Sequence, residues 1–387
     1  MPPQPPTHSP PRVLFLDCAP FSGGAQESLL SLLTALHGQG QPMLLLTADS
    51  SPNGLGERAQ AAGINTTAIT ARHWRKSLSG LQQFRVDHRA VAPLLQQATA
   101  DFRPDLVHCN GIRAALLYRM AMPKASQRLP VVIHDRDLRL PFGVRTWLAR
   151  SLSPRIAAIS STVGRLWQHC LPLRQIHVVP NGFPLTDIQA TTPAALPFAT
   201  DNGADVTSVI LPADFVSWKR HDLFLRTVAL TQQQKMPLRA ILRGRARDAA
   251  GRRLLERLRR QAAALGLTPD VLAFVTDQGP ALPWIAAADI VFACARHEPF
   301  GRTIVEALAL GKPVVATPTA GAPEIIADCP AITIADDDHA ALTKALAAWL
   351  SPERRRQCAA AARARAEYFS MSRHVTGIQA IHAQCLE

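Results

Sequence analysis

No stretch of this sequence is apolar for long enough to cross a bilayer. Runs such as Val13 to Leu16 and Leu44 to Leu46 fall far short of the ~20 residues that a spanning helix needs, so no transmembrane helix is expected. Residues 1–11 are rich in proline and lack both a basic start and an apolar stretch. They read as a disordered tail and not as a signal peptide, which puts the expected protein in the cytoplasm. The seven cysteines, at 18, 109, 170, 294, 329, 358 and 385, are odd in number and form no Cys-x-x-Cys pair. That argues against a disulfide framework or a zinc site and makes them reduced packing residues. The acidic run from Asp336 to Asp338 reads as a loop and a helix start and not as an Asp-x-Asp triplet of the metal-binding kind. The Gly-x-Gly-x-x-Gly fingerprint is absent after the first apolar run, where Ser22-Gly23-Gly24-Ala25 stands, and this disfavours a nicotinamide dehydrogenase.

Acidic residues are outnumbered. Lys and Arg total 42 against 29 Asp and Glu, a formal charge of +13, which attracts polyanions, anionic headgroups or phosphorylated small molecules. The arginines are scattered and no recognition motif accompanies them, so nucleic acid is not the expected partner. Two basic clusters, Arg72 to Lys76 and Arg136 to Arg155, carry Trp74 and Trp147. Each is a candidate for peripheral contact with an anionic membrane at its inner face, against the plainer reading of a solvated helix face.

With 387 residues, 47% of them hydrophobic and 18% charged, the chain is globular and long enough for two α/β domains. The run Arg12 to Asp17, a loop with Gly23 and Gly24, and leucines 29, 30, 32, 33 and 36 at helical spacing read as strand, glycine loop and helix. Further short apolar runs predict strands at 42–47, 106–109, 131–134, 156–159 and 177–179. The stretch 182–204, rich in Pro, Thr, Ala and Asp, reads as a linker. A second series follows at 209–211, 239–242, 272–275, 290–293, 313–316 and 331–334, and then 338–386 is helical with a break at Pro352. Short strands alternating with helices imply parallel, doubly wound sheets, whose ligands bind at the carboxyl ends of the strands. The expected division is 12–183, a linker over 184–205, 206–367, and a last helix over 368–387.

The segment most informative about chemistry is Glu298 to Thr317, EPFGRTIVEALALGKPVVAT. Gly301 breaks the loop, Arg302 to Leu310 reads as a helix, and Gly311 stops it. The helix start at Gly301, Arg302 and Thr303 offers backbone N–H groups and the positive end of the dipole to a phosphate. Glu298 lies before the loop and Glu306 one turn inside the helix, so that one carboxylate suits sugar hydroxyls and the other a ribose. Glu-x7-Glu running into GKPVVAT and GAPEII resembles the donor signature of the retaining family 4 glycosyltransferases of GT-B fold. Gly23-Gly24-Ala25-Gln26 resembles their first glycine loop, PDLVH at Pro104 to His108 a further marker, and His134-Asp135 their acceptor-side histidine. Ile159-Ser160 and Val179-Pro180-Asn181-Gly182 resemble the end of their first domain.

The resemblance implies an α/β fold of two Rossmann-like domains facing across a cleft, with C-terminal helices packing back toward the N-terminal domain. It also implies transfer of a sugar from a UDP- or GDP-sugar to a hydroxylated acceptor, glycan, lipid-linked or small molecule, with retention of configuration, no cofactor and no metal. Glu306 would hold the ribose and Glu298 the donor sugar, with Phe300, Gly301, Arg302, Thr303, Gly23 and Gly24 lining the donor site. His134, ending the run VVIHD, would donate a hydrogen bond to the transferred sugar, and His108 is a weaker candidate. Lys219 matches the lysine that faces the diphosphate, but Asp214 stands where that family carries an arginine. A carboxylate there repels the diphosphate, so Arg220, Arg243 or Arg245 must supply the missing charge, and Arg245 is the favoured one. No carboxylate is placed as a nucleophile, which points to front-face attack with electrostatic catalysis. Two alternatives stay open: a nucleotide-sugar epimerase or hydrolase on the same fold, and a catalytically weak nucleotide-sugar-binding subunit.

Overall fold

The computed structural model describes residues 10–72, 78–122, 124, 126, 128–138, 142–198, 206–277, 279–326 and 329–387. The tail over residues 1–9, the basic segment around Trp74, part of the stretch from Arg136 to Arg155 and the end of the linker lie outside them. The chain divides into two units, Met1–Gly182 with Met371–Glu387, and Phe183–Ser370.

The N-terminal unit holds β1 (Val13–Asp17), β2 (Met43–Thr47), β3 (Thr66–Ala68), β4 (Leu106–Cys109), β5 (Val131–Asp135), β6 (Arg155–Ala158) and β7 (Ile176–Val178). They form one parallel sheet in the order β3-β2-β1-β4-β5-β6-β7. β1, β4 and β5 are buried along their whole length, and continuous apolar runs are what strands covered on both faces require. The helix Gly24–Gly38 turns Leu29, Leu32, Leu33 and Leu36 into this core, where Val375, Ile378 and Ile381 of the last helix, Met371–Leu386, join them. The C-terminal segment is therefore part of the N-terminal core.

The second unit holds β8 (Thr207–Pro212), β9 (Leu238–Arg243), β10 (Leu272–Val275), β11 (Ile290–Ala293), β12 (Val314–Ala316) and β13 (Ile332–Ile334). Its sheet is parallel in the order β10-β9-β8-β11-β12-β13. Both sheets reverse their winding once, between β1 and β4 and between β8 and β11, and ligands of doubly wound sheets bind outside the strand ends at such points. The stretch read as a linker is not structureless. Leu185–Gln189 forms a short helix that buries Leu185 and Ile188, and one turn is too little apolar spacing to register as periodicity. Asp338 caps the helix His339–Ala347 by accepting from the backbone N–H groups of Ala340 and Ala341. Among the described residues no helix is long and apolar enough to cross a membrane.

Candidate functional site

In the second unit the loops leaving β8, β11 and β12 are stitched together by main-chain bonds. The N–H of Arg296 donates to the Trp218 carbonyl at 2.8 Å, and that of Glu298 to the Thr319 carbonyl at 3.1 Å. The Thr319 hydroxyl donates to the Ala295 carbonyl at 2.9 Å. These bonds bring together two residues 79 positions apart: Lys219 Nζ donates to Glu298 Oε2 at 2.6 Å. The ammonium also lies 4.2 Å from the centroid of the Trp218 ring, a cation–π contact that orients it. Arg220 and His297, each next to one member of the pair, hold left-handed φ values of 56° and 54°. Such conformations in residues with a Cβ are disfavoured, and they gather where a site overdetermines its backbone.

The helix Arg302–Ala309 begins beside Glu298. Its N-cap is Gly301, at φ 107° and with no side chain to accept from the first turn. A Cβ there would stand 3.0 Å from the Gly321 Cα. The positive end of the dipole thus lacks a side-chain cap, which suits an anion. Phe300 is buried with its ring centroid 6.2 Å from that of Phe183 and 5.9 Å from that of Phe369, which anchors the loop. One turn into the helix, Arg302 Nη2 lies 3.2 Å from Glu306 Oε1. The Arg302 guanidinium also covers the Phe183 ring at 4.8 Å. Thr303 is half-buried on the same first turn.

Asp214 sits between two arginines. Its carboxylate accepts from Arg247 Nε at 2.6 Å, from Arg245 Nε at 3.3 Å and from the Arg245 backbone N–H at 3.1 Å. Burial raises the pKa of this carboxyl, and Arg247 and then Arg245 outweigh burial and hold it below the usual carboxylate range. Asp214 with two guanidiniums leaves a net positive charge at the end of β8, so the substitution for arginine does not make this corner negative. Sequence reasoning singled out Arg245 but passed over Arg247. The other two candidates also face acids: Arg243 Nη2 donates to Asp277 at 3.0 Å, and Arg220 pairs with Asp337. Gly244 is required where the chain leaves β9, because a Cβ would lie 2.0 Å from the Ala213 carbonyl oxygen. Cys294 is buried with its thiol pushed up to about 12 by desolvation, which fits a packing residue.

In the N-terminal unit a string of hydrogen bonds crosses the carboxyl ends of β1, β4 and β5. The Gly23 N–H donates to Gln26 Oε1 at 3.1 Å, and Gln26 Nε2 donates to the Asp17 carboxylate at 3.1 and 3.2 Å. Asn110 Nδ2 donates to Asp17 Oδ1 at 3.0 Å, and Arg136 Nε to Asn110 Oδ1 at 2.9 Å. Arg136 also donates through Nη1 to Asn181 and lies with Nη2 3.3 Å from His134 Nδ1. Burial pushes Asp17 up to about 6 against the bonds from Asn110 and Gln26. His134 itself is fully buried, and burial followed by the Arg136 charge holds its imidazole well below the usual range. The structure thus joins the glycine loop at Gly23 and Gly24 to His134 through Gln26, Asp17, Asn110 and Arg136, of which the sequence marked none for a site role. Asp135, beside His134, is structural: it accepts from Arg145 at 3.1 Å and from the Trp167 indole at 2.8 Å.

Residues 22–187 match Glycosyltransferase Family 4 and residues 199–365 match Glycosyl transferases group 1. The lipopolysaccharide core biosynthesis glycosyltransferase LpsE of Rhizobium meliloti is 28% identical over 283 residues, 70% of this chain and 74% of that protein. A GDP-mannose-dependent alpha-(1-6)-phosphatidylinositol dimannoside mannosyltransferase of Mycobacterium tuberculosis is 36% identical over 138 residues, 33% of this chain and 35% of that one. Anabaena HepE, solved in complex with UDP and glucose, superposes with a TM-score of 0.77 at 19% identity, covering 96% of this chain and 99% of that one. The two sheets, their windings and these likenesses agree, and the chain belongs to the family 4 glycosyltransferases of GT-B fold.

Proposed function

We propose that the protein moves a hexosyl unit from a UDP- or GDP-sugar to a hydroxyl acceptor with retention of anomeric configuration and without a metal ion. The observation that carries this reading is the Lys219–Glu298 pair, which ties the loop leaving β8 to the loop leading to the Arg302–Ala309 helix. It sets a cation, a carboxylate and an anion-binding helix start on adjoining segments of one unit. Lys219, the helix start and the Asp214–Arg245–Arg247 cluster supply the positive potential for the negative charge that grows on a leaving diphosphate. Glu298 orients the transferred sugar, Glu306 accepts from the ribose hydroxyls, and His134 donates from the N-terminal unit. The acceptor oxygen bonds to the anomeric carbon on the face from which the phosphate oxygen departs. Its proton passes to that phosphate oxygen, so no protein base is needed. The activities named for the relatives favour a glycan or lipid-linked acceptor. The helix Phe142–Leu152 favours peripheral contact with an anionic membrane, since its Trp147 is 40% exposed with the Arg119 guanidinium 5.2 Å from the ring.

Calorimetric titration with UDP and GDP, followed by transfer assays with and without EDTA, tests this reading. One nucleotide should bind, and Glu306→Ala should weaken it by about 1.5–3 kcal/mol through loss of a charged acceptor. An unchanged dissociation constant removes Glu306 from the site. Transfer should survive EDTA, and a loss restored by Mg2+ or Mn2+ would overturn metal independence.

A further inference from the structure

Four buried histidines meet in the core of the N-terminal unit: His108 on β4, His134 on β5, and His374 and His382 on the helix Met371–Leu386. His134 Nδ1 lies 3.2 Å from His108 Nε2, and His108 Nδ1 lies 2.9 Å from His382 Nε2. Among the described residues the cation bonded to this string is Arg136, 3.3 Å from His134 Nδ1. Its guanidinium is a donor only and does not give up its proton. The nitrogen it faces must therefore be a lone pair, and because His134 is neutral its proton is on Nε2. His108 Nε2 faces the same lone pair and must carry a proton, so His108 Nδ1 accepts. His382 Nε2, facing that acceptor, must then donate. One guanidinium thereby decides the proton positions of three rings, and the order propagates from β5 to the last helix.

Arg136 is itself oriented. Asn110 gives its nitrogen to the Asp17 carboxylate, so its oxygen faces Arg136 Nε, and Asn181 presents a second carbonyl oxygen to Nη1. His374 stands outside the string. Its Nδ1 meets the Pro180 carbonyl oxygen at 2.6 Å, and a carbonyl only accepts, so His374 must carry its proton on Nδ1, opposite to the other three. His134 Nε2, the nitrogen left holding a proton, has no hydrogen-bond partner among the described residues.

We infer that Arg136 is a positioning residue for sugar transfer: it locks His134 as the Nε2–H tautomer, the form able to donate from Nε2, and through His134 it orders His108 and His382. The functional half rests on the role proposed above for His134, and the structural half does not. A His134 protonated on Nδ1 would turn a lone pair toward the ligand from Nε2 and would repel a sugar oxygen in place of binding it.

Long-range 1H–15N correlation spectra of the full chain with 15N-labelled histidine read the tautomers directly, with peaks assigned through single His→Asn variants. At neutral pH, His108, His134 and His382 should be Nε2–H and His374 should be Nδ1–H. A His134 bearing its proton on Nδ1 in the unaltered protein overturns the inference without any variant having to fold. In Arg136→Met the Nε2–H form of His134 should lose its dominance, while Arg136→Lys, which keeps a donor, should retain it. Transfer should fall about tenfold in Arg136→Met with the nucleotide dissociation constant unchanged, since placement and not donor binding is lost. A shifted tautomer with undiminished transfer overturns the positioning role, whereas failure to bind any nucleotide sugar would sink the proposed function and leave the tautomer order standing.

Discussion

At the scale of single residues the two ion-pair clusters at the end of β8 do different work. Asp214 holds Arg245 and Arg247 in place and spends one of their two charges. Arg245→Ala should then lower transfer about tenfold, equivalent to about 1.4 kcal/mol of transition-state stabilisation, with Asp214→Ala nearly neutral because it subtracts no cation. An essential Asp214 beside a dispensable Arg245 would mean that the carboxylate touches the donor. Glu298 is held by Lys219 at 2.6 Å, so Glu298→Gln should loosen the lysine as well as remove the sugar contact proposed for this carboxylate. Steady-state kinetics should show transfer falling more than nucleotide affinity, and equal losses would contradict the assignment of Glu298 to the sugar. Glu298 and Glu306 lie on a loop and on the first turns of the helix that follows it, as the contiguous motif that holds them predicts. The Arg302–Glu306 pair was not read, although its i,i+4 spacing carries that signal. The pairing of Lys219 with Glu298, and of Asp214 with Arg247, was not legible, because it depends on which loops the sheet brings side by side.

At the scale of elements most of the predicted strands lie on short apolar runs, since burial on both faces leaves no room for polar alternation. What escaped was short or half-exposed. β3 is three residues with no fully buried side chain, and the helix Leu185–Gln189 buries two. Two buried neighbours in five residues do not distinguish helix from loop. The helix Arg302–Ala309 was legible at both ends because glycines bracket it, Gly301 at φ 107° and Gly311 at φ 73°. Its start is where fold and proposed activity meet. An alanine at 301 would be forced into a left-handed conformation that is unfavourable by about 1–2 kcal/mol, with its Cβ against Gly321. Gly301→Ala should therefore lower the thermal midpoint and weaken nucleotide binding together. A variant that binds UDP or GDP as tightly as the unaltered chain would show that the helix start does not contact the phosphates.

At the scale of the whole molecule the chain leaves the N-terminal unit at Gly182 and returns to it at Met371, and the returning helix is docked through histidines. His374 and His382 have pKa values lowered by burial to about 3 and about 4, against 6.5 for the exposed side chain. His108 and His134 are lowered as well, first by burial and then by neighbouring rings and Arg136. Below pH 6.5 the unfolded chain binds protons that these folded rings refuse. Their contribution to stability is complete above that pH and drains away as the pH falls toward 4 and then 3. Asp17, raised to about 6 from 3.8, works in the opposite sense, taking up a proton in the folded state first as the pH falls below 6. Asp135, also raised by burial, works in the same sense as Asp17, but these two carboxyls are set against the four rings and against His177 and His221, both lowered by burial, so the net effect is destabilising in acid. Once the pH is below both values the lowering corresponds to on the order of 5 kcal/mol for His374 and 3 kcal/mol for His382. Urea midpoints followed by circular dichroism should therefore fall between pH 7.5 and pH 5.0, with most of the loss below the ordinary histidine pKa. His374→Gln/His382→Gln should start from a lower midpoint at pH 7.5, because packing and hydrogen bonds are lost, yet decline less steeply toward pH 5.0. A wild-type midpoint that is flat over that interval, or a double variant just as sensitive to acid, would show that the last helix is not held by neutral histidines.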